Sequence, residues 1–137
     1  MTSNASEVVQ AFIDRVANGR DFDALPALLA DDFYLPVGDA RMDRDGLAAI
    51  LRYYFAAFPD LHYDVKGLFT DGDTVVARVL MIGTHRGADY AGQPASGRSF
   101  VVDEVDTFRV VDGRIATYDI VWDELGFRRQ LGLPLDA

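Results

Sequence analysis

The spacing of apolar residues changes character near Leu61. Before it, apolar positions recur every three or four residues, the repeat of a helix with one buried face. After it they alternate, the repeat of a strand. Val8, Val9, Phe12, Ile13 and Val16 form the first helical stripe, which Asn18-Gly19 ends. Asn4-Ala5-Ser6-Glu7 has the spacing of a capping box at its start. A shorter second helix carries Leu25, Leu28 and Leu29, with Pro26 tolerated in its first turn. Phe33-Tyr34-Leu35 reads as a short strand before Pro36. Asp43 is placed to cap a third helix, ended by Phe58-Pro59. Its apolar face holds Leu47, Ile50, Leu51, Tyr54 and Phe58, widened by Tyr53 and Phe55. A face that wide suits a helix packed across a sheet.

Four strands are predicted after that point, over 61–69, 75–84, 99–111 and 114–123. Asp71-Gly72-Asp73 and Asp112-Gly113 supply turns. The Gly-rich segment GADYAGQPASGRS separates the two hairpins, and ELGFRRQLG closes the chain as a short helical tail. The order of elements predicts one α+β domain over 1–137, a curved antiparallel sheet with three N-terminal helices against one face. Curvature leaves a conical space between sheet and long helix, which large aromatics can line without filling. Strand 75–84 is apolar on both parities apart from Arg78, so both of its faces are expected to be covered. Helices can cover only one, and a homodimer joined by the outer sheet faces is the expected cover for the other.

Composition narrows the partners. The chain has 137 residues, half of them hydrophobic and 12% aromatic, so a packed core is expected rather than disorder. Its net charge is −9, from 22 acids against 13 Lys and Arg. That argues against nucleic acid and anionic membrane, which need clustered cations, and favours an apolar or aromatic small molecule. There is no cysteine, which excludes disulfides and thiolate chemistry, and two histidines are too few for a multi-His metal centre. No apolar run approaches the roughly 20 residues of a membrane span. The N-terminal MTSNASEVV lacks the marks of a signal peptide. A cytoplasmic location is expected.

The chemistry is sought among the acids of DEVDTFRVVDGRIATYDIVWDELG, residues 103–126. Asp112 belongs to a turn, Glu124 starts the tail helix, and Asp103 shares a strand face with Arg109. Glu104 and Asp106 stand apart, because alternation places them with Phe100, Val102, Phe108 and Val110 on an otherwise apolar face. If both enter a dry cavity, burial and mutual repulsion raise at least one pKa, and such a carboxyl suits acid–base work near neutral pH. The competing reading pairs one of them with an Arg such as Arg78. Asp106 is the expected base and Glu104 its helper. Tyr118, Trp122 and Ile120 on the next strand, with Phe108, Tyr54, Phe58 and Phe33, are candidate ligand contacts. His85 ends a strand beside the Gly-rich loop, as a loop anchor or a further contact.

Several stretches together carry a resemblance. They are Phe58-Pro59-Asp60-Leu61, Gly72-Asp73 before Val75-Val76, Gly83-Thr84-His85-Arg86-Gly87, and Gly92-Gln93-Pro94-Ala95-Ser96-Gly97-Arg98. Further along come Phe108-Arg109-Val110-Val111-Asp112-Gly113-Arg114-Ile115, Asp123-Glu124-Leu125-Gly126 and Gln130-Leu131-Gly132. In this order the chain resembles the SnoaL-like polyketide cyclases of the nuclear transport factor 2-like superfamily. The resemblance implies a cone-shaped α+β fold around an apolar pocket, dimerisation through the outer sheet face, and no metal or cofactor. It also implies a pocket Asp that removes a proton beside a carbonyl, so that the enolate closes a ring by aldol chemistry. Other relatives isomerise ketosteroids or open epoxides. The family strand that usually reads His-Trp-Asp-x-x-Asp, with the first Asp catalytic, aligns here with Tyr118-Asp119-Ile120-Val121-Trp122-Asp123. Ile120 takes the place of the acid, and Asp119 points the other way. The expectation is a carboxylate moved to the neighbouring strand, with Asp119 and Asp123 held in reserve. A non-catalytic apolar-ligand binder and a structural domain with a filled cone are the competing readings.

Overall fold

The computed structural model describes residues 4–135. Helix α1, Ala5–Phe12, starts where Asn4 Oδ1 accepts the Glu7 N–H at 2.8 Å. The Glu7 carboxylate accepts from the Asn4 side-chain amide, so the box closes between side chains. The helix widens into a π-helical turn, Ile13–Asn18, that continues the buried stripe. Its last residue, Asn18, donates its amide to the Tyr63 carbonyl (2.9 Å) and accepts the Tyr63 N–H (2.7 Å). Tyr63 lies on the edge strand of the sheet, and the amide takes the place of a missing strand there.

A 3₁₀ turn, Phe22–Ala24, leads into a single-turn helix α2, Leu25–Leu28. Leu29, expected in that helix, is extended instead and opens strand β1, Leu29–Val37. It is fully buried and pairs with Ile115. Strand β1 is therefore nine residues long, three times the reading from sequence. Gly38, at φ +59°, turns the chain into β2, Ala40–Met42, a strand too short to show as alternation. Helix α3, Arg44–Ala57, is capped as predicted by Asp43, whose carboxylate accepts the Gly46 N–H at 2.8 Å. Its end at Phe58 follows from Pro59, which disfavours helical geometry in the residue before it.

The remaining strands are β3 (His62–Asp71), β4 (Thr74–Thr84), β5 (Ser99–Val111) and β6 (Arg114–Trp122). Helix α4, Glu124–Leu131, follows. They form a curved sheet ordered β2-β1-β6-β5-β4-β3. Every pairing is antiparallel except β1 with β6, which is parallel and departs from the expected all-antiparallel sheet. Strand β1 starts opposite Ile115, beside the β5–β6 turn, so it leaves the same end of the sheet as β6 and runs with it.

Burial along β5 alternates without a break, with Phe100, Val102, Glu104, Asp106, Phe108 and Val110 inward. Two apolar clusters cover that inner face. One joins α1, α2 and the strands around Phe12, Leu29, Phe108 and Ile115. The other joins the end of α3 to α4 around Phe58, Phe100 and Phe127. On the outer face Val76, Leu80 and Ile82 of β4 are half-buried and Arg78 is exposed. Helix α4 is fastened by backbone bonds: Gln130 accepts the Val101 N–H (2.8 Å) and donates to its carbonyl (3.1 Å), beyond the last β5–β6 pair.

Candidate active site

Between the β1–β2 hairpin, α3 and the inner sheet face lies a cavity of about 330 Å³. The hairpin contributes Leu35, Pro36, Val37 and Met42, and α3 contributes Leu47, Ile50, Leu51 and Tyr54. The sheet contributes Met81, Glu104, Tyr118, Ile120 and Trp122. Val37 (51% exposed), Ile120 (37%) and Ile50 (36%) mark the mouth. The interior is apolar except for hydroxyls, the indole nitrogen and one carboxyl, that of Glu104, which is only 5% exposed.

Asp106 follows on the same strand face, 3% exposed, and is not part of the cavity wall. The Tyr118 hydroxyl donates to its Oδ2 at 3.3 Å. Its Oδ1 has no partner among the fixed donors. The two carboxyls share one buried strand face, where two negative charges are disfavoured. Burial raises the pKa of Asp106 well above its usual range, the charge of Glu104 raises it further, and the bond from Tyr118 pulls it back. Burial also raises the pKa of Glu104. Both acids are thus held above the usual carboxylate range, and the pair titrates as a unit. Burial likewise raises Tyr63 and Tyr118, helped by the same two acids, so both phenols stay protonated.

No Lys or Arg among the described residues pairs with either acid. Arg78 lies on the opposite face across from Val105, which disposes of the ion-pair reading. Asp106 sits directly across from Ile120, and Glu104 from Trp122. Cβ atoms in such pairs lie about 5 Å apart.

Of the ligand contacts expected from sequence, Tyr118, Trp122, Ile120 and Tyr54 line the cavity. Four do not. Phe108 stacks on Tyr118 (centroids 4.4 Å, 18°) and lies under the wall. Phe33 belongs to the first apolar cluster, and Phe58 to the centre of the second. His85 is buried with Nε2 3.0 Å from the Ala88 carbonyl oxygen, so it anchors the loop. The acids in reserve also point away: Asp119 is exposed, and Asp123 caps α4 by accepting the Gly126 N–H. Arg109 pairs with Asp73 at 3.6 Å, not with Asp103. The hairpin wall and Met81 were not anticipated. Gly38-Asp39 was the available turn signal for the hairpin.

The architecture is that of the nuclear transport factor 2-like proteins. Within that class the chain belongs to the SnoaL-like polyketide cyclase family, whose family model matches residues 7–131. It is similar to the aklanonic acid methyl ester cyclase DauD of Streptomyces sp. strain C5, 34% identical over 87 residues that cover 64% of this chain and 53% of DauD. The cyclase DnrD of Streptomyces peucetius, named for the same substrate, is 33% identical over 87 residues, 64% of this chain and 59% of DnrD. The match thus spans little more than half the length of these curated relatives. Among solved structures, IdmH of Streptomyces antibioticus is 30% identical, with a TM-score of 0.82, over 96% of this chain and all of IdmH. TsrD of Streptomyces laurentii is 29% identical with the same score, over 94% of this chain and 95% of TsrD.

Proposed function

We propose that the protein is a cofactor-independent cyclase of the aldol type, acting on an uncharged apolar or aromatic carbonyl compound, with Glu104 as general base. The observation that carries this is the single carboxyl in the wall of an apolar cavity, backed by a second, buried one. Ionised Glu104 takes a proton from the carbon beside a carbonyl, and the electron pair moves onto that carbonyl oxygen. The enolate carbon then bonds to a second carbonyl carbon, and the new alkoxide takes the proton back from Glu104. Atoms and charge balance without metal or redox partner. This reading reverses the roles read from sequence, and what supports it is Glu104 in the cavity wall with Asp106 outside it.

Glu104→Gln tests this with aklanonic acid methyl ester, the compound for which DauD and DnrD are named. Turnover should fall by a factor of about 10² to 10⁴, while the melting temperature stays close to that of the parent. Unchanged turnover would overturn the assignment. A second reading, a carrier of apolar molecules, draws on Ile120 at the position of the family acid. It is favoured if the parent binds the ester, seen through Trp122 fluorescence, and never converts it.

A further inference from the structure

One helical turn on from Ile50 and two strand residues on from Ile120, the rings of Tyr54 and Trp122 stand in the cavity wall. Each is backed by another ring. Phe127 packs on Trp122 with centroids 4.9 Å apart, and Tyr90 packs edge-on to Tyr54 at 5.4 Å. Tyr90 is not itself a wall residue. It reaches in from the loop after β4, and its hydroxyl lies 3.1 Å from that of Tyr54.

The loop is built to hold this one ring. The Gly87 and Ala88 N–H groups bond to the Ala57 and Ala56 carbonyls at the end of α3 (3.0 and 2.8 Å). A Cβ at Gly87 would overlap the Ala56 oxygen, so only glycine brings the loop so close. Tyr90 and Gln93 bond through their backbones in both directions at 2.9 Å, across Ala91 (φ +51°) and Gly92 (φ +77°). A left-handed alanine is disfavoured by roughly 1–2 kcal/mol and persists only where its surroundings hold it. Here Ala91 donates its N–H to the Tyr53 hydroxyl at 2.8 Å.

We propose that Tyr90 sets the length of ligand that the cavity accepts, acting through Tyr54, whose ring it backs and whose hydroxyl it engages. This rests on the cavity being the substrate site and names the property of substrate that the site selects: the extent of an uncharged, planar, fused-ring molecule. Tyr90 is a positioning residue in this scheme. Without its ring, Tyr54 can swing back and the cavity lengthens into the vacated space, since a truncated core side chain leaves room that its neighbours only partly refill.

The test uses naphthoquinone, anthraquinone and naphthacenequinone as a graded series. Binding is read by quenching of Trp122, the sole tryptophan. In Tyr90→Ala the longest quinone should bind roughly tenfold more tightly than to the parent, with the shortest nearly unchanged. Tyr90→Phe, which keeps the ring, should retain the parent's order of affinities, and Tyr90→Leu should lie between, as a second variant should the alanine protein fail to fold. The same long-to-short affinity ratio in the parent and in a folded Ala or Leu variant overturns the proposal, as does quenching by none of the quinones. No turnover enters this readout, so a failure of Glu104 as base leaves the ratio informative.

Discussion

Glu104 and Asp106 face the same way from one strand, and burial makes two negative charges there costly. If Glu104 is the base, activity requires its ionised form. kcat/KM should therefore climb with pH through an apparent value above the usual glutamic acid range of about 4.3. Stability should move the other way. In the unfolded chain both acids ionise near pH 4, whereas the fold holds their protons to higher pH. The folded state then binds more protons across that interval, so stability falls as pH rises through it and is flat below it. Asp106→Asn copies the neutral acid: its oxygen can accept from Tyr118 and its amide can donate to Glu104. Melting temperature against pH should lose part of its downward slope in this variant, with a gain of about 4 °C at pH 8, the shift that ~1 kcal/mol gives. A variant that melts lower at pH 8 than the parent would contradict a protonated Asp106.

The elements differ in how openly the sequence displays them. Helix α3 was legible at both ends because a capping Asp and a Phe-Pro step are local signals. Strand β5 was legible from its alternation over thirteen residues, and β4 and β6 from apolar runs that start at the Asp-Gly turns. Strand β1 was read as three residues because Asp31 and Asp32 interrupt its apolar pattern on the exposed side, and β2 has too few residues to show any pattern. That hairpin supplies one wall of the cavity, so the same gap hid Leu35, Pro36, Val37 and Met42. The inward side of Glu104 and Asp106 followed from parity alone. Which of them touches the cavity did not, because that depends on where α3 and the hairpin cross the sheet. The fastening of α4 by Gln130 was equally silent, being a long-range bond to a backbone. Gln130→Ala should remove both bonds and cost about 1–2 kcal/mol, read as a melting temperature lowered by several degrees. An unchanged melting curve would mean that Phe127 and Leu131 hold the helix unaided.

For the molecule as a whole, the outer sheet face stands out. Phe69, Val101, Val105 and Val121 are exposed there, around the half-buried Val76, Leu80 and Ile82 of β4. Exposed apolar side chains gathered on one face, here interspersed with Arg78, Asp103 and Asp119, often mark an interface, and we propose that a second copy covers it. Light scattering at micromolar concentration should then give twice the 15.1 kDa chain mass. Val105→Arg, at the centre of the face beside Arg78, should shift the mass to that of one chain. A parent that scatters as one chain would refute the assembly. Among the described residues no helix is long and apolar enough to cross a membrane.

The diagonal placing of Glu104 and Ile120 across the β5–β6 ladder, both in the cavity wall, has a consequence for descent. Because the two positions stand in one wall, a lineage could have gained an acid on one strand before giving up the acid on the other, with no inactive ancestor between. What such a lineage inherits is a point in space, not a column in an alignment. If Glu104 is the base, a survey that scores these chains by the one column would count this protein among the dead members of its family while its carboxyl sat one strand away.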